Sequence, residues 1–178
     1  RIRLLLPLDE PGVLALTCRV SNGQVAEPAM HRGLQVIGFG LPSSDLRREL
    51  VRLVMSGRKV ATAGLAVEME LDGEIIPTPG MREVIIDADG LFVGEIETTE
   101  CRILAMADVD DAFALEEGEG FADASHWRSA HLSYFNAYLD ELRDRLGDPD
   151  WSITDDTLIV CQRFRLVERY PVPVPPER

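Results

Sequence analysis

The chain has 178 residues, 46% of them hydrophobic and 28% charged, with a net charge of −13 at pH 7. That size and mix suit one globular domain with a full core, and no apolar run reaches the ~20 residues of a membrane helix. The negative charge opposes non-specific binding to a nucleic-acid backbone, which relies on neutralising phosphates.

Residues 1–35 hold several breakers, among them Pro7, Pro11, Gly12 and Gly33, and read as a short strand or two with loops. This segment is expected to be an N-terminal extension packed on the domain. "HRGLQVIGFG" predicts a strand ending at Phe39 and Gly40. "LPSSDLRRELVRLVMSG" predicts a helix: Ser43 or Ser44 caps it, Leu46, Leu50, Leu53 and Val54 form an apolar stripe, and Gly57 stops it. "KVATA" suits an extended segment, while "LAVEMEL" fits a strand or a short helix. "REVIIDADGLFVGEIETTECRILAMAD" reads as a β-hairpin turning at Asp89-Gly90. "DASHWRSAHLSYFNAYLDELRDRLG" reads as one amphipathic helix, with Trp127, His131, Tyr134, Phe135, Tyr138, Leu142 and Leu146 at three- and four-residue steps. "TLIVCQRFRLVERY" predicts a closing strand, and "PVPVPPER" an extended tail, residues 171–178, with little drive to fold. Strands and helices outside βαβ alternation indicate one α+β domain.

The three cysteines, Cys18, Cys101 and Cys161, are scattered and show no C-x-x-C pattern. They argue against a disulfide scaffold or a zinc site and read as buried thiols in a reducing, cytoplasmic compartment. Neither a metal nor another cofactor is expected.

Charge is unevenly spread. Arg47, Arg48, Arg52, Arg58 and Lys59 cluster against only Asp45 and Glu49, whereas residues 108–119 carry acids and no base. Lys59 is the only lysine; every other member of the 18 Lys and Arg is arginine. An ammonium can lose its proton when desolvated and a guanidinium cannot, so position 59 points to a need for an amine. The plainer reading is a cation complementing a helix C-terminus. Thr62 offers a hydroxyl that a neutral lysine could deprotonate for attack on an acyl carbon. On a regular strand, residues 59 and 62 face opposite sides, so convergence requires a turn or bulge between them. In "ALEEGEGFAD", Gly118 and Gly120 allow Glu117 and Glu119 to approach a ligand on a loop, or to form a solvated acidic linker. His126 and His131, five apart, are poorly spaced for a metal, and Trp127 and His131 share the apolar stripe, so core packing is the expectation for both. Arg128 lies off the stripe, where it could pair with the acidic loop.

Taken together, "SSDLRRELVRLVMSGRKVATAG", "EEGEG", "WRSAH" and "LIVCQRFRLV" resemble the ASCH domain family, of the larger bacterial type, over residues 38–170. The resemblance implies an ASCH-like domain over about residues 36–170, built as a small PUA-like mixed β-barrel with two main helices packed against it. It also implies a cleft beside the Gly-x-Lys turn that takes RNA or a modified nucleoside. One branch of the family hydrolyses N4-acetylcytidine with a Lys, Thr and Glu set, matched here by Lys59, Thr62 and either Glu119, which is favoured, or Glu117. Some larger members are described as ribonucleases. Two departures stand out: Val60 follows the lysine where the family usually has Thr, and Phe121-Ala122 precede Asp123.

Three functions follow as expectations. The first is an amidohydrolase with Thr62 as nucleophile, Lys59 as base and Glu119 orienting or protonating. The second is an RNA-binding module or metal-independent ribonuclease, in which Arg52, Arg58 and their neighbours hold phosphate and Phe39 or Trp127 stacks on a base. The third is a binding domain without catalysis, sensing a modified nucleoside or a protein partner; under any of the three, Gly57 and Arg128 are expected among the ligand contacts.

Overall fold

The computed structural model describes residues 30–176. The expectations for residues 1–29, Cys18 included, lie outside the described residues.

Six strands form one sheet: β1 (Met30–His31), β2 (Leu34–Ile37), β3 (Ala61–Leu65), β4 (Arg82–Ile86), β5 (Phe92–Ala105) and β6 (Leu158–Val174), in the order β1-β2-β4-β5-β6-β3. Only β2 and β4 run parallel; the other neighbours are antiparallel. The α+β reading holds. The sheet is open, however: β1 and β3 are its edges and do not pair with each other, so pairing closes no barrel among the described residues. Among the described residues, five α-helices accompany it, α1 (Asp45–Met55), α2 (Ala66–Asp72), α3 (Asp111–Glu116), α4 (Ala124–Asn136) and α5 (Leu139–Leu146), with a 3-10 turn over Met106–Asp108. No helix of the described residues is long and apolar enough to cross a membrane.

The first predicted helix forms as α1. Ser44 caps it by accepting from the Arg47 N–H at 3.0 Å, and Leu50, Leu53 and Val54 are buried against the sheet. Leu46, the fourth member of the predicted stripe, is exposed. The helix ends in a Schellman motif: Gly57 at φ +75° donates to the Val54 carbonyl, and Arg58 donates to that of Leu53. The ambiguous "LAVEMEL" run is the helix α2. The predicted hairpin is β4–β5, turning at residues 87–91 with Gly90 at φ +76°.

Three expectations need correction. The predicted single long helix is two, α4 and α5, because the chain breaks at Tyr138 (φ −128°, ψ 22°). There the Tyr138 hydroxyl donates to Glu68 at 3.1 Å, and the turn redirects α5 so that Leu142 is buried. The acidic stretch is not all linker, since Asp110 caps α3 by accepting from the Phe113 N–H at 2.8 Å. The tail is partly ordered: β6 runs on to Val174, which pairs with Phe92.

Two of the three apolar clusters among the described residues seat the helices. One, around Trp127, Phe113, Phe135, Leu142 and Ile159, holds α3, α4 and α5. The other, around Phe39, Leu50, Val54, Ile85, Ile96 and Phe164, seats α1. Cys161 is buried and Cys101 half-buried, both free, with burial pushing their thiols up to about 12 and about 11.

Candidate functional site

The chain crosses from α1 to β3 through a turn that carries Lys59. The carbonyl of Leu53 accepts from both Arg58 and Lys59, and the Val60 N–H donates to the carbonyl of Glu116 at the end of α3. The next loop residue, Gly118, has φ +70° and lies so close to the Arg58 carbonyl that a Cβ would stand 2.3 Å from its oxygen. The two segments, nearly sixty residues apart in sequence, are thus strapped together by backbone.

That strap brings Lys59 to the two glutamates. Lys59 Nζ lies 3.0 Å from Glu117 Oε2 and 2.5 Å from Glu119 Oε1. Lys59 and Glu117 are both buried, while Glu119 keeps 19% of its side chain accessible. The other oxygen of Glu117 accepts from the Trp127 indole N–H at 2.9 Å. Burial holds the Glu119 carboxyl above the usual range, with the neighbouring Lys59 opposing this and Glu117 adding to it.

His131 stacks on Trp127, centroids 4.1 Å apart, and its Nδ1 lies 3.0 Å from the Trp127 carbonyl. Nδ1 therefore carries the proton, and Nε2 faces Glu117 Oε1 at 3.7 Å. Burial lowers the imidazole to about 4, so it is neutral at ordinary pH.

These groups open on a cavity of about 660 Å³, within the size range of small-molecule sites. Lys59, Thr62, Glu117, Glu119 and Phe39 line it. The alternation that sets residues 59 and 62 apart does not apply, because β3 begins only at Ala61 and Lys59 belongs to the turn before it. Phe39 is buried at the wall, packed on Phe164 in the core that seats α1.

The other predicted ligand contacts are placed elsewhere, outside the cavity lining. Gly57 is the helix stop. Arg52 is exposed and bonds Glu49, and Arg58 is exposed. Trp127 is fully buried behind Glu117, so its ring is not presented to solvent. Arg128 donates to the Ala107 carbonyl at 2.9 Å rather than to the acidic loop. The basic strip is likewise dispersed: Arg47 is buried and bonds the Gly40 carbonyl, Arg48 pairs with Asp89, and Lys59 is buried with its glutamates.

Sequence reasoning missed Glu83 and Gln162 as cavity residues, set His131 aside as core, and expected Arg47 only as part of a phosphate-binding strip. The available signal was a polar residue inside an apolar strand, Glu83 in "REVII" and Gln162 in "LIVCQRF". Among the described residues, no group of His, Cys, Asp and Glu is arranged to hold a metal ion.

The ASCH domain family model matches residues 36–168. The fold is similar to the crystal structure of protein EF3133 from Enterococcus faecalis, at TM-score 0.67 and 29% identity, covering 80% of this chain and 81% of that one. It is also similar to an ASCH domain from Lactobacillus crispatus, at TM-score 0.61 and 25% identity, covering 75% of this chain and 79% of that one. No curated protein matches the chain. With a family match over most of its length and two solved folds alongside it, the chain belongs to the ASCH domain family.

Proposed function

We propose that the protein binds a small modified nucleoside in this cavity and hydrolyses an exocyclic amide of the N4-acetylcytidine kind. The observation that carries the reading is the sole lysine held between Glu117 and Glu119 in the wall of a cavity that Thr62 also lines.

Glu117, with Trp127 on one oxygen and Lys59 on the other, is a positioning residue. Glu119, partly accessible and with a raised carboxyl, is the group that exchanges a proton with Lys59 across 2.5 Å. Once Lys59 has passed its proton to Glu119, it takes that of the Thr62 hydroxyl, whose oxygen attacks the acyl carbon. The tetrahedral intermediate breaks its C–N bond, and the departing amine receives a proton from the Lys59–Glu119 pair. Water then hydrolyses the Thr62 ester, so that amide and water become amine and carboxylic acid.

Electrostatics favour a ligand without phosphate. Glu68, Asp72, Glu74, Glu119 and Glu141 line the cavity against Arg47, Lys59 and Arg145, and Arg145 is itself paired with Asp72. A polyanion entering that wall meets like charge. Dispersal of the basic strip likewise weighs against an RNA-backbone surface.

The test is incubation with N4-acetylcytidine and with cytidine, following product by chromatography, for wild type, Lys59→Arg and Thr62→Val. Deacetylation by wild type alone supports the reading. An active, folded Lys59→Arg variant sinks the assigned chemistry, and binding without turnover reduces the cavity to a sensing site.

A further inference from the structure

A second polar group beside the cavity is built into the sheet. Glu83 on β4, Thr98 on β5 and Gln162 on β6 are all buried, at 2%, 1% and 4% exposure. Gln162 Nε2 donates to Glu83 Oε2 and, at 2.9 Å, to Thr98 Oγ1, which uses both of its hydrogens. Glu83 Oε1 and Gln162 Oε1 take part in neither of these bonds, and both residues line the cavity. Buried polar groups cost free energy unless they are bonded, and an apolar pair would extend the core that seats α1. The fold itself gives no reason for a carboxyl and a carboxamide here.

We propose that Glu83 and Gln162 are the edge of the cavity that reads a planar heterocycle. They bond the side of a ring that presents an acceptor beside a donor, as a pyrimidine does at its ring nitrogen and exocyclic group. This deepens the nucleoside reading above and rests on it. Burial pushes the Glu83 carboxyl up to about 7, with the Gln162 bond opposing, so near neutral pH the acid form is available. Its O–H is then a donor and the Gln162 oxygen an acceptor, on two side chains already bonded to each other. Around the carboxyl stand Gln162, Thr98 and the Cys101 thiol, with Gln35 opposite it on β2 and Arg47 in the same cavity wall.

Register sets the distance from reading group to reacting group. Gln162 is the cross-strand partner of Thr62. Phe164 donates to the Val60 carbonyl at 2.9 Å, so by alternation Thr62 and Gln162 are also a hydrogen-bonded pair, with Cα atoms roughly 5.5 Å apart. A ring held at Gln162 therefore places its neighbouring substituent beside the Thr62 hydroxyl.

Equilibrium binding of cytidine and of 3-deazacytidine, which lacks the ring-nitrogen acceptor, tests this. Wild type at about pH 6 is expected to hold cytidine about tenfold or more tighter than the deaza analogue, and to lose most of that advantage by about pH 8.5. Glu83→Gln, which offers a donor at every pH, should bind cytidine alike at both. Equal binding of the two ligands by wild type overturns the proposal while leaving the nucleoside reading intact. So does an unchanged pH dependence in the Glu83→Gln variant. If that variant does not fold, the ligand pair on wild type decides alone. Failure of wild type to bind any pyrimidine nucleoside overturns both readings.

Discussion

Gly118 and Arg58 touch through backbone: a Cβ on the glycine would lie 2.3 Å from the Arg58 carbonyl oxygen, and the glycine has φ +70°. Replacement by alanine meets both a left-handed backbone and a clash that no side-chain rotation relieves. Gly118→Ala should destabilise the fold by roughly 2–4 kcal/mol in urea titration. Gly120→Ala is the control. It has φ +93° but open space around the added carbon, so the backbone cost of about 1–2 kcal/mol should stand alone. Equal losses at the two positions would contradict the strap.

Removing the lysine leaves two carboxylates facing each other in a buried site. Lys59→Met should cost roughly 3–5 kcal/mol near pH 8. The deficit should shrink near pH 5, where protonation of Glu119, already raised by burial, relieves the repulsion. Urea titrations at the two pH values measure this, and a deficit that grows as pH falls would contradict it.

Glu83 makes stability depend on pH in the opposite sense from a salt-bridged acid. Its carboxyl is raised from 4.5 to about 7, so the folded state holds the proton more tightly than the unfolded chain. The contribution is complete below about pH 4.5 and is lost as pH rises through about 7, a change on the order of 3 kcal/mol. Subtracting the stability curve of Glu83→Gln from that of wild type should isolate that step. A flat difference would place the carboxyl elsewhere on the pH scale.

Trp127→Phe keeps a buried ring but deletes the indole N–H that Glu117 Oε1 accepts. The carboxylate then loses one of its partners in the interior, at a cost of about 1–3 kcal/mol. A Trp127→Phe protein as stable as wild type by thermal melting would show that the clamp on Glu117 contributes little.

Much of this was legible because local chemistry and tertiary structure agree. Ser44, the apolar stripe and Gly57 define α1 on their own terms, and Asp89-Gly90 marks its hairpin. Lys59, Glu117 and Glu119 could be paired on composition and family pattern. Their convergence depends on a backbone strap between distant segments, which no spacing reveals. The break at Tyr138 was hidden because neither glycine nor proline marks it; a tertiary contact to Glu68 stands there instead. Trp127 drew attention as a stacking surface, yet its burial turns the useful end of the ring, the N–H, toward Glu117. Glu83 and Gln162 escaped notice because one polar residue in an apolar strand looks like noise until its partner on another strand is known.

Among the described residues the sheet stops short of closing on itself, and β3 pairs on one side only. Completing the ring would add hydrogen bonds but leave less room for the cavity that β2 and β3 both line. Whatever fits there adds to folding stability in proportion to the logarithm of its concentration. Under the proposed function, supply of the nucleoside would then set how much of this protein survives in a cell.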